Sequence, residues 1–152
     1  MTSSLFYEND SNLLTPNAFE FVLATELKRA LRSQNFLTLV TLEASREWEG
    51  MTVTADDGTV LEVAQIIGRE VRDTDLLGHT DDGTLTLMLV DTDFAHSTRV
   101  VERLVSRIEH YGFATPLRIA VGAACYPTHA VDAESLKRQA LSRPLVNWRR
   151  SS

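Results

Sequence analysis

Arg72-Asp73-Thr74-Asp75-Leu76-Leu77-Gly78-His79-Thr80-Asp81-Asp82-Gly83-Thr84-Leu85-Thr86-Leu87-Met88-Leu89-Val90 is the stretch that decides how this chain is read. Leu85 to Val90 alternates as a strand does, and Leu76-Leu77 opens a shorter strand before it. Between them, Thr80 to Gly83 is a polar turn, and Asp82-Gly83 is a dipeptide that tolerates the positive φ of a hairpin tip. A helical run from about Gly58 to Val71 leads in. The order is helix, strand, hairpin, strand.

Working outward, Pro16 is followed by Phe19, Val22, Leu23, Leu27, Ala30 and Leu31 at three- and four-residue spacing, which predicts an amphipathic helix to about Ser33. Phe36 to Leu42 alternates apolar and Thr residues and predicts a strand ending near Glu43. Ala44 to Asp57 has no clean period. Downstream, Val100, Val101, Leu104, Val105 and Ile108 form one helical stripe that Gly112 ends. Leu117 to Cys125, apolar apart from Arg118, predicts a central strand buried on both faces. Asp132 suits the N-cap of a last helix with Ser135 at its third position, and Pro144 stops that helix near Arg143.

The chain has 152 residues, 43% of them hydrophobic, enough to close one core. Residues 1–9 read as a lead-in and 10–152 as a single domain. A formal charge of -6 and a pI near 5.2 disfavour a sequence-independent binder of nucleic acid polymers, which needs a cationic face. The single cysteine, Cys125, cannot form an internal disulfide and reads as a small buried hydrophobe. No run approaches the ~18 apolar residues of a membrane span and no secretion signal opens the chain, so no membrane insertion is expected and the cytoplasm is the expected compartment.

In order and spacing the chain resembles the GGDEF family, the diguanylate cyclase domain of bacterial second-messenger signalling, over nearly its whole length. Asp10 to Ala18 and then Phe21 match the family's opening motif in length, with Asp10, Pro16, Asn17 and Phe21 kept. Val101-Glu102-Arg103-Leu104 is similar to its Ala-Glu-Arg-Ile helix. Ile119 to Ala124 followed by Pro127 is similar to its Ser-Ile-Gly-Ile-Ala strand. The resemblance implies an α/β sandwich, a central mixed sheet of about five strands flanked by helices, with a ferredoxin-like βααββαβ core and an added N-terminal helix. It also implies a second helix and a turn within Ala44 to Asp57.

The family's signature falls on Asp81, Asp82, Gly83, Thr84 and Leu85, and here it is degenerate. The resemblance implies that two glycines let a triphosphate approach bare backbone and that two acids serve metal binding and activation of the nucleophile. Asp81 and Asp82 replace the glycines; like charges about 4 Å apart at an effective dielectric of about 20 repel by about 4 kcal/mol. Gly83 and Thr84 replace the acids, and neither can hold magnesium as a carboxylate does. Glu43 matches the family's other metal carboxylate, and Asp57 one of its two guanine-recognising residues, with no Asn for the second. The phosphate-holding Lys falls near Trp148, beside Arg149 and Arg150. The expectation is no catalytic residue, no cofactor and no magnesium; a new metal site of Asp81, Asp82 and Glu43 is weighed beside a plain turn, and the turn is preferred.

Arg72 and Asp75 match the Arg-x-x-Asp site by which the family binds its product, cyclic di-GMP, and Arg103 matches an Arg on the following helix. A guanidinium forks onto guanine O6 and N7 or onto phosphate, and a carboxylate accepts from N1 and N2. A local ion pair at a helix end is the plain alternative. The reading is a catalytically inactive signalling domain, either a cyclic di-GMP receptor through Arg72, Asp75 and Arg103 or a module that binds a signalling protein partner or a second copy without nucleotide. His79, His96, His110 and His129 lack metal-site spacing. Trp48 and Trp148 are expected as core or interface anchors.

Overall fold

The computed structural model of the chain describes residues 13–80 and 84–150, the last five as backbone alone. Its elements are β1 (Leu13–Leu14), α1 (Pro16–Ser33), β2 (Leu37–Trp48), β3 (Met51–Thr54), α2 (Asp57–Glu70), β4 (Leu76–His79), β5 (Leu85–Val90), α3 (Phe94–Glu109), β6 (Arg118–Tyr126), α4 (Ala133–Ser142) and β7 (Pro144–Arg150). One sheet runs in the order β1-β4-β5-β2-β6-β7, with β3 paired only to β2. β1 lies parallel to β4 and the other pairings are antiparallel. This is the mixed sheet with flanking helices that the sequence implies.

Strand alternation sorts the core into two layers. Leu85, Leu87 and Leu89 of β5, with Val40 and Leu42 of β2, face Val63, Ile67, Val101, Leu104 and Ile108 of α2 and α3. Met88 and Val90, with Leu37 and Leu39, face Phe19, Leu23, Leu27, Leu136 and Ala140 of α1 and α4. Leu87 and Leu104 are fully enclosed, and cutting either to Ala would cost about 2–5 kcal/mol. Thr15, Asp56, Asp93 and Asp132 cap the four helices through their side chains, each contributing about 1 kcal/mol. Asp132 accepts from Ser135 N at 2.8 Å, as the sequence predicts. The last helix ends at Ser142, and Pro144 begins β7 with no intervening loop.

At Gly122 of β6 the α4 backbone comes close: an added Cβ would lie 2.1 Å from the Ala140 carbonyl oxygen. Only a residue without Cβ fits there.

Three expectations need correction. The second strand does not end at Glu43 but continues to Trp48, and Ala44 to Asp57 holds no helix before α2: Glu49 (φ 50) and Gly50 (φ 80) make a two-residue left-handed turn that folds β3 back onto β2. Of the two roles expected for Trp48, core or interface anchor, its 56% exposure on this ribbon, with the ring 5.4 Å from the Arg46 guanidinium, removes the first. Leu31, predicted on the inner stripe of α1, is exposed, although Ala30 of the same turn is buried. The position of Trp148, near which the resemblance puts the phosphate-holding Lys, lies on β7, past the helix that stops before Pro144. Asp10 and the turn residues Asp81, Asp82 and Gly83 lie outside the described residues.

Candidate functional site

Arg72 and Asp75 stand in the short connection between α2 and β4, at the end where β5 runs out at Val90. Val71 leaves the helix in extended conformation, and the Asp75 N–H donates to the Arg72 carbonyl at 3.0 Å, closing a turn. The two side chains grip across it. Arg72 Nη2 donates to Asp75 Oδ1 at 3.1 Å and Nε to Oδ2 at 3.2 Å. Nη2 also donates to the Val90 carbonyl at 2.6 Å and to Thr92 Oγ1 at 2.8 Å. The hydrogen bond from Arg72 to Asp75 holds the guanidinium pKa above its ordinary value.

Asp75 is occupied on both oxygens. Oδ1 also accepts the Val90 N–H and Oδ2 the Arg72 N–H, each at 3.1 Å, and the side chain is 3% exposed. Four donors on a buried carboxylate make it a fixed support. Arg72 is 58% exposed, and among the described residues its Nη1 has no partner. The pair therefore presents one side of a guanidinium to solvent and hides the acid that orients it.

This guanidinium borders a hollow of about 380 Å³ lined also by Glu70, Asp75, Asp91, His96, Arg99 and Arg103. Arg103 thus reaches it within its own chain. Arg103 Nη2 donates to the Glu70 carbonyl at 3.1 Å, and its Nε lies 3.4 Å from the Glu70 carboxylate, which Arg107 also meets at 3.1 Å. Arg99, which the sequence reading passed over, has no hydrogen bond or ion pair among the described residues. The signal for it was present: Arg99, Arg103 and Arg107 recur every four residues on α3.

The other candidate region lies where β2 leaves the sheet. Glu43, Ser45, Thr52, Thr54, Val60, Val63, Thr84 and Leu85 line a hollow of about 340 Å³ there. Glu43 is exposed, and Asp57 is the first residue of α2, beside the cap Asp56, whose pKa is held down by the Thr59 N–H. Thr84 closes the hairpin, accepting the Thr80 N–H at 3.0 Å. On the opposite face, Thr41, Thr80, Thr84 and Thr86 line a hollow of about 290 Å³ with Lys137 and Arg138. Lys137, a second residue the sequence reading did not single out, pairs there with Glu20 and Glu134.

His79 ends β4, His96 lies in the first turn of α3 bonded to Asp93, and His110 caps the C-terminus of α3, bonded to the Ser106 carbonyl. His129 accepts the Cys125 N–H on Nδ1 at 2.9 Å and packs edge-on against Phe94. Desolvation holds its pKa below the usual histidine value. Among the described residues no helix is long and apolar enough to cross a membrane.

No protein-family model and no curated protein matches the sequence. Solved structures do match. The GGDEF domain of TpbB (YfiN) from Pseudomonas aeruginosa superposes with a TM-score of 0.72 at 19% identity, over 84% of this chain and 80% of that one. A diguanylate cyclase protein from Thermotoga maritima gives 0.72 at 16% identity, over 87% and 95%. The coiled coil and GGDEF domain of DgcB from Caulobacter crescentus, in complex with cyclic di-GMP, gives 0.65 at 16% identity, over 86% and 74%. The chain has the GGDEF-domain fold.

Proposed function

We propose that this GGDEF-fold domain is a receptor for cyclic di-GMP that does not synthesise it. The observation that carries the reading is the hollow beside β5, where Arg72, Arg99 and Arg103 converge while the only carboxylate of the Arg-x-x-Asp pair is turned inward. A cyclic dinucleotide offers two phosphodiesters and two guanine edges, all of which accept from guanidinium N–H groups. Arg72 Nη1 and the free fork of Arg99 supply those donors. Arg103, half held by Glu70, supplies charge. Asp75 acts as a positioning residue for Arg72, a narrower role than direct reading of N1 and N2. A fold neighbour that carries cyclic di-GMP, the Caulobacter DgcB, supports the choice of ligand.

The silence of the synthetic side rests on residue chemistry. Thr84 takes the place of an acid beside Glu43, and a hydroxyl does not replace a carboxylate in gripping a hard divalent ion. Phosphoryl transfer between two nucleotides then lacks its charge stabilisation.

Calorimetric titration with cyclic di-GMP is expected to give micromolar affinity, about -8 kcal/mol. Arg72→Ala should abolish it, and Arg99→Ala should weaken it about tenfold or more with the melting temperature unchanged. Absence of heat at millimolar ligand would refute the receptor reading. Appearance of the cyclic dinucleotide on incubation with GTP and magnesium would refute the other half.

A further inference from the structure

The outward side of α3 carries His96, Arg99, Arg103, Arg107 and His110, spaced by three, four, four and three residues. At 3.6 residues per turn they fall within an arc of roughly 80° and along about 21 Å of helix. All five are exposed, on the side of α3 away from the buried Val101, Leu104, Val105 and Ile108. Arg69 of α2 borders the same ridge across a second hollow, of about 410 Å³, lined also by Glu70, Arg107, His110 and Tyr111. Glu70 is one carboxylate shared by two arginines, so the ridge keeps a positive excess on a chain of formal charge -6.

We infer that this ridge is a docking surface for an acidic helical segment of a protein partner. The inference stands on the charge pattern of α3 and does not depend on nucleotide binding. A helix with carboxylates at every fourth position presents one acid per turn, the same rise of about 6 Å that separates Arg99, Arg103 and Arg107, and an Arg fork takes a carboxylate on two nitrogens. Glu102 and Glu109 run beside the ridge on the same helix. Those two acids would oppose the continuous phosphates of a nucleic acid. A long polyanionic strand or an anionic membrane also runs past the ridge onto the acidic body, whose charges repel it where they come within a Debye length of about 10 Å. A single convex helix meets a flat bilayer along one line only.

The test is fluorescence anisotropy of the full chain with a labelled alanine-rich peptide carrying Glu at every fourth position. Saturable binding that weakens with salt is expected, with a loss of about tenfold or more in Arg107→Glu. Arg69→Glu, on the neighbouring helix, should weaken the peptide likewise and serves if Arg107→Glu proves unstable by circular dichroism. The inference fails if the peptide does not saturate or if both charge reversals bind as the parent does. It also fails if a single-stranded oligonucleotide, or vesicles containing phosphatidylserine, bind more tightly than the peptide.

Discussion

The hollow beside Arg72 and the hollow beside Glu43 sit on one fold and are built from opposite materials. In the first, Asp75 accepts four hydrogen bonds and Glu70 meets two arginines, while Asp91 at its edge is half exposed. In the second, Glu43 is exposed among threonines and aliphatic side chains. A site of the first kind is partly preorganised, because Arg72 and Arg103 are already oriented before a ligand arrives and lose little further side-chain freedom on binding. The second offers a hydroxyl-rich rim without a second carboxylate at Thr84. Recognition and turnover can therefore separate within one domain, since they rest on different side chains about the same sheet.

The contrast is broken hardest by Asp75→Ala. It would leave two backbone N–H groups and a guanidinium without their acceptor at a buried position, a cost of about 2–4 kcal/mol in urea unfolding, together with loss of dinucleotide binding. An unchanged unfolding midpoint would mean that the clasp does not hold this end of β5. A smaller effect is expected from pH, at the head of α3 where His129 packs on Phe94. Its folded pKa lies below the unfolded value of 6.5, so the unfolded chain takes up the proton first. Stability is therefore complete above pH 6.5 and falls as the pH drops below it, until the folded pKa is passed; His129→Gln should flatten that slope in thermal melts. The smallest effect belongs to the other side. Thr84→Glu adds a carboxylate next to Glu43 and should still give no detectable product from GTP and magnesium, because Asp81 and Asp82 remain in place of the glycines. Turnover in that variant would mean that one acid alone separates this chain from synthesis.

Much of this molecule could be read from residue order alone, where one face of an element is apolar and the other is not. α1, β5, α3, β6 and the start of α4 all satisfy that condition. The β2–β3 ribbon does not, since Glu47, Trp48, Met51 and Thr52 are all exposed; no buried face imposes a period, and the Glu49-Gly50 turn is its one local sign. The candidate site was half legible. The family resemblance picks out Arg72, Asp75 and Arg103, but the inward turn of Asp75 depends on Val90, fifteen residues away and brought near only by the pairing of β4 with β5. Arg99 and Arg107 were overlooked because α3 was read for its apolar stripe, and the charged side carries equal periodicity.

Gly122 bears on which parts of the domain could relay a signal. There a helix carbonyl rests in a space the width of a hydrogen atom, main chain against main chain, and neither surface has a rotamer to change. α4 has no room to slip along β6, so that side of the sheet serves as an anvil. Any relay set off by a ligand must run through the opposite layer, where α2 and α3 touch through long, charged and re-orientable arms.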